Sequence, residues 1–109
     1  MNFSPLKEIT QADISSYKLL LTKMHEELLQ LESKLPEYLK KQDEQLVSEA
    51  HHRAQTTFKL LELNDLNESI YKLRADMIDG VNANGLVDKI VGYLQVSAQQ
   101  ILHELDTIK

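Results

Sequence analysis

Four stretches of this chain carry an apolar residue at every third or fourth position, and little within them can break a helix. Tyr17, Leu21, Met24, Leu28, Leu31 and Leu35 form the first series, and Val47, Ala50, Ala54, Phe58 and Leu61 the second. Leu66, Ile70, Leu73 and Met77 form the third, and Val87, Ile90, Leu94, Ala98, Ile101, Leu105 and Ile108 the fourth. Spacings of three and four put each series on one side of a 3.6-residue helix, leaving a stripe that must be buried against another helix. Three glycines and two prolines in 109 residues leave helix formers in nearly every segment, and β-branched alternation is nearly absent. The expected fold is all-α, an antiparallel up-down-up-down four-helix bundle with a short N-terminal helix or arm.

Boundaries follow from the residues between the stripes. Residues 1–14 read as the N-terminal element and 15–109 as the bundle. Pro5 and the lack of periodicity predict an extended arm over residues 1–9, and Thr10 with Asp13 resembles a capping pair that starts a short helix. Pro36 removes a backbone donor and disfavours the α region at Leu35, so the first long helix is expected to kink or end near Lys34, with a tighter turn to Lys41. Asp43 is the expected cap of the second helix, which runs to about Leu60, and Asn64 that of the third. Gly80 closes the third helix, GVNANG is a loop, and the fourth helix runs from about Asn84 to Thr107. Gly92 inside it is expected to serve close helix packing. Glu26, Glu27, Glu32 and Glu37 read as a solvated acidic face.

Residue supply excludes several classes of chemistry. The chain has no cysteine, so disulfides, thiolate metal sites and cysteine nucleophiles are out. No Gly-rich phosphate loop, G-x-S-x-G or H-E-x-x-H occurs, so no ATP site and no enzyme of those kinds is expected. A net charge of −5 gives no broad electropositive footprint for nucleic acid or an anionic membrane. No apolar run approaches a membrane span and MNFSPLKEIT lacks the regions of a signal peptide, which sets a cytoplasmic expectation. With 42% hydrophobic and 27% charged residues, the composition is that of an ordinary globular domain.

Histidine is the remaining chemical resource. Glu49 and His52 form an E-x-x-H pair of the type used by di-iron bundles, but it occurs once and the other histidines do not complete a set, so no metal site is expected. Helical phase separates the adjacent pair. With Val47 at zero and about 100° per residue, His51 falls near 40°, at the edge of the apolar stripe, and His52 near 140°, with Thr56 and Lys59 on its face. His51 is therefore expected to be packed and hydrogen-bonded, and His52 to face solvent.

The segment from Ala50 to Leu66, AHHRAQTTFKLLELNDL, resembles the active-site segment of histidine phosphotransfer domains. That family carries, after the phosphorylated histidine, an apolar residue at +2, Lys at +3, a small residue at +4 and apolar residues near +9, +11 and +14. Counted from His52, Ala54, Leu61, Leu63 and Leu66 take the apolar positions and Thr56 the small one. From His51 the register fits worse, with Arg53 at +2 and Leu60 at +9. Two positions depart from the pattern: the Lys at +3 is Gln55, and the Gly common at +10 is Glu62.

The resemblance implies a four-helix phosphocarrier in a multistep His-Asp relay, with His52 accepting and donating a phosphoryl group. Its partners would be response-regulator receiver domains and a hybrid histidine kinase. The chain would need no cofactor of its own, because Mg²⁺ comes with the receiver, and a monomer is expected. Lys59 is the candidate phosphoryl contact in place of the missing lysine, with Gln55 and Thr56 for hydrogen bonding or docking and Arg53 on the docking rim. Loss of the lysine keeps a second expectation open, a degenerate helical adaptor that binds a receiver or kinase without being phosphorylated.

Overall fold

The computed structural model describes residues 1–11 and 13–108; Ala12 and Lys109 lie outside the described residues. The described chain is all-helical. Five helices follow one another: α1 (Ser4–Ile9), α2 (Ile14–Lys40), α3 (Glu44–Leu60), α4 (Asn64–Asp79) and α5 (Asn84–Thr107). α2 packs on α5 and α3, and α4 packs on α3 and α5, so the four long helices form a closed ring of neighbours. At 1.5 Å per residue the 27 residues of α2 span about 40 Å, which sets the long dimension of a molecule measuring 47 × 20 × 18 Å.

The predicted stripes are the core. Every residue of the first two series is buried, as are Leu66, Ile70 and Leu73 from the third and Val87 to Ile101 from the fourth, while Met77, Leu105 and Ile108 pack at its edge. Asp43 caps α3 as expected, its carboxylate accepting from the Leu46 amide at 3.1 Å. Gly80, with φ 73°, ends α4 in the left-handed conformation that an absent Cβ leaves free of strain.

Several boundaries differ from the sequence reading. Residues 4–9 form α1 and not an extended arm: Pro5 lies in its first turn, where no intrahelical donor is required, and Leu6 is fully buried in the core. Thr10 ends that helix, and Asp13 caps α2 itself, accepting from the amides of Ser15 and Ser16. Pro36 lies inside α2, which continues to Lys40; neighbouring turns on both sides carry the helix past one missing donor. Asn64 is the first residue of α4 and not its cap, a position held by Leu63 without a side-chain hydrogen bond. A Cβ at Gly92 would meet nothing within 4 Å, so close packing does not explain that glycine. The acidic face of α2 is also less uniform than expected. Glu32 accepts from Gln95 Nε2 of α5 at 2.8 Å, and Glu27 is half-buried with one carboxylate oxygen unpartnered.

The C-terminal ends of α2 and α3 follow one pattern. After α3 the Leu63 amide donates back to the Phe58 carbonyl at 2.8 Å and the Glu62 amide to Lys59 at 3.2 Å, with Glu62 at φ 55°. After α2 the Asp43 amide reaches Tyr38 and the Gln42 amide reaches Leu39, with Gln42 at φ 53°. Both are Schellman closures with a long side chain where glycine is preferred.

Candidate functional site

α3 presents two unlike faces because its apolar stripe covers only one side. His51 has no exposed surface, and His52, one residue on, is exposed together with Arg53, Thr56 and Lys59. The hundred-degree step between neighbours on a helix is the whole cause of that difference.

His51 is sealed within a polar network between α3 and α4. Arg74 Nη1 lies 3.2 Å from its Nδ1, and because a guanidinium can only donate, Nδ1 accepts. The ring proton is then on Nε2, which donates to Asn67 Oδ1 at 2.6 Å. Tyr71 packs edge-on against the ring with centroids 4.4 Å apart, and the Phe58 ring lies tilted to it at 6.2 Å. Burial holds the imidazole pKa below its usual value; the Asn67 hydrogen bond opposes this, and the charges of Arg74 and His52 add to it. His51 is thus a neutral side chain with both ring nitrogens engaged and no exposed surface.

His52 opens onto a surface cavity lined with Ser48, Glu49, Arg53, Gln55, Tyr71 and Arg74. Arg74 is fixed at its edge. Nε donates to Glu44 Oε1 at 3.2 Å, Nη1 donates to His51, and the guanidinium lies over the Tyr71 ring, 5.6 Å from its centroid. Gln55 Nε2 donates to the Tyr71 hydroxyl at 3.0 Å, an exposed bond that ties α3 to α4 beside the cavity. The cavity therefore joins one solvent-facing imidazole to two guanidinium groups.

The sequence-predicted residues divide around this geometry. Gln55 and Arg53 share the cavity with His52, whereas Thr56 and Lys59 are exposed on α3 outside its lining. Arg53 also borders a second depression with Glu27, Gln30, Leu31, Lys34, Tyr38 and Ala50. There, burial raises the Glu27 pKa while the Thr57 hydroxyl and the Arg53 charge act the other way. Tyr71 and Arg74 were not found by sequence reading, because they lie on α4 and only packing of α4 against α3 brings them to His52. Arg74, one turn after Ile70, falls at the border of its own apolar stripe, a phase that accounts for its half-burial but not for its partners on α3.

Among the described residues no cluster of three or more His, Asp or Glu side chains is arranged to hold a metal ion. Among the same residues no helix is long and apolar enough to cross a membrane. The chain matches no family model, no curated protein and no solved structure.

Proposed function

We propose that this chain is a phosphocarrier of the histidine phosphotransfer kind, with His52 as the phosphoryl acceptor and donor. The observation that carries the reading is the opposed placement of the two histidines: His51 is sealed and fully hydrogen-bonded, while His52 is exposed in a cavity that two guanidinium groups share. Burial agrees with the register from His52. Ala54, Leu61, Leu63 and Leu66, at +2, +9, +11 and +14, are all buried, whereas counting from His51 would place the exposed Arg53 at an apolar position. Glu62, at the +10 position where the family has glycine, takes the left-handed backbone that glycine would supply there. The proposed architecture is an antiparallel up-down-up-down bundle of α2 to α5 with α1 packed on it. The closed ring of helix neighbours and the short connections between consecutive helices support that topology.

The transfer is a displacement at phosphorus. A neutral imidazole nitrogen of His52 donates its lone pair to the phosphorus of an aspartyl phosphate, the N–P bond forms as the P–O bond to aspartate breaks, and the carboxylate leaves with the electron pair. The ring proton stays on the other nitrogen. Reversal of these changes passes the group to a second receiver. Such chemistry depends on positioning and charge neutralisation more than on proton transfer, so an exposed nucleophile on a rigid helix is what this chain would contribute, the divalent cation belonging to the receiver. Arg53 and Lys59 then supply positive charge on the docking face, with Gln55 and Thr56 as polar contacts.

Incubation of the protein with phosphorylated receiver domains tests the reading. Acid-labile, alkali-stable label on this chain is the expected result, with no label from ATP alone. Stable binding of the receiver without label would replace the carrier by the adaptor.

A further inference from the structure

Gln55 leaves the cavity without the lysine that would neutralise a phosphoryl group at +3, and its amide is already committed to Tyr71. Lys59 lies two helical turns from His52, about 10.5 Å along the axis, outside the cavity lining. Arg74 lines the same cavity as His52 from the neighbouring helix and is held from three sides, by Glu44, by His51 and by the face of Tyr71. A guanidinium has five N–H donors, and the bonds to Glu44 and His51 use two, so three remain for oxygen atoms in the cavity. Its planar fork suits a phosphoryl group better than a mobile ammonium does, and little side-chain freedom is left to lose.

We infer that Arg74 binds and neutralises the phosphoryl group carried on His52, and that the buried His51 and the carboxylate of Glu44 are the positioning residues that hold its guanidinium at the cavity. This assignment rests on the phosphocarrier reading. It gives the sealed histidine a task. An acceptor at His51 Nδ1, uncharged and fixed by Asn67 behind it, orients Arg74 without consuming its charge. Glu44 orients the same group but also competes for it, being a carboxylate at 3.2 Å from Nε. The two positioning residues therefore act with opposite sign on phosphoryl affinity: loss of the His51 acceptor weakens it, and loss of the Glu44 charge strengthens it.

The quantity that reads this contact is the equilibrium distribution of label between a purified receiver domain and this chain. At equilibrium between separated partners, a docking defect changes the rate of approach but not the final distribution. Removal of a charge-assisted contact in Arg74→Gln should shift the distribution about ten-fold towards the receiver. Glu44→Gln should shift it towards this chain. His51→Leu should resemble Arg74→Gln, and its effect should vanish in the Arg74→Gln background, which a general loss of packing would not do. Circular dichroism melts identify any variant that fails to fold, and Arg74→Gln and Glu44→Gln, both at the partly exposed edge, decide the matter without His51. An unchanged distribution in Arg74→Gln, with the wild type labelled on His52, overturns the assignment of Arg74 and leaves the carrier intact. A wild type that takes no label overturns the carrier and this inference with it.

Discussion

Two adjacent imidazoles meet opposite fates in this chain, and the difference reaches the pH dependence of folding. His51 is neutral and buried in the folded state, with its pKa lowered by desolvation first and by the charges of Arg74 and His52 in addition. In the unfolded chain it returns to about 6.5. As the pH falls through 6.5 the unfolded state therefore takes up a proton that the folded state refuses, so stability is fully present above that value and declines below it, towards the folded-state pKa. Chemical denaturation of the wild type between about pH 7.5 and 5.5 should show this decline, and His51→Gln should remove that part of the slope. An equal slope in both proteins would mean that His51 protonates freely in the fold. Helical phase made the burial of His51 legible, since its angle from Val47 follows from counting. Its partners were not legible, because Asn67 and Arg74 come from 16 and 23 residues away on another helix.

At the scale of the helix, the apolar stripes were readable because 3.6-residue periodicity survives in the sequence, but the ends were harder. Gly80 announced one left-handed cap, whereas Glu62 and Gln42 take the same backbone conformation without its usual residue. Such a residue costs more in that region than glycine does, and the closing hydrogen bonds and buried Leu63 offset the cost at Glu62. Glu62→Gly should raise stability by about 0.5–1 kcal/mol in urea denaturation, net of the exposed hydrogen bond that Asn2 donates to the Glu62 carboxylate. A lower midpoint would show that the Asn2 contact outweighs the backbone strain. Gly92 is the converse case, a glycine in a helix interior with open space around the site of its Cβ. Gly92→Ala should stabilise α5 by about 0.5–1 kcal/mol, read as a higher melting temperature, and a lower one would mean that α5 needs the freedom of glycine there. A short N-terminal helix was expected but placed after Thr10, because the six residues of α1 are too few to show periodicity and only tertiary contact reveals the fully buried Leu6.

In the molecule as a whole, the five helices produce one elongated body whose α3 turns its polar side outwards along part of its length. Tyr17 of α2 donates a hydrogen bond to Glu104 of α5, and Lys7 of α1 pairs with the same carboxylate at 3.5 Å, so three helices are tied at the end that α1 closes. The Tyr17 pKa is raised by burial and by that carboxylate, while Glu104 is lowered chiefly by the same hydrogen bond. The α3–α4 face carries the second polar network, and there the candidate site is half a sequence motif and half a product of packing. His52, Arg53 and Gln55 lie within one turn of α3 and were legible; Tyr71 and Arg74 join them only when α4 lies beside α3. The proposed phosphocarrier function requires that the exposed histidine, and not its buried neighbour, carry the phosphoryl group. Label uptake from a phosphorylated receiver by wild type, His51→Gln and His52→Gln, with the modified residue located by mass spectrometry under alkaline conditions, tests it directly. Label is expected on His52 in the first two proteins and none in His52→Gln, whose helical signal stays unchanged; label that persists in His52→Gln or follows His51 would show that His52 is not the acceptor.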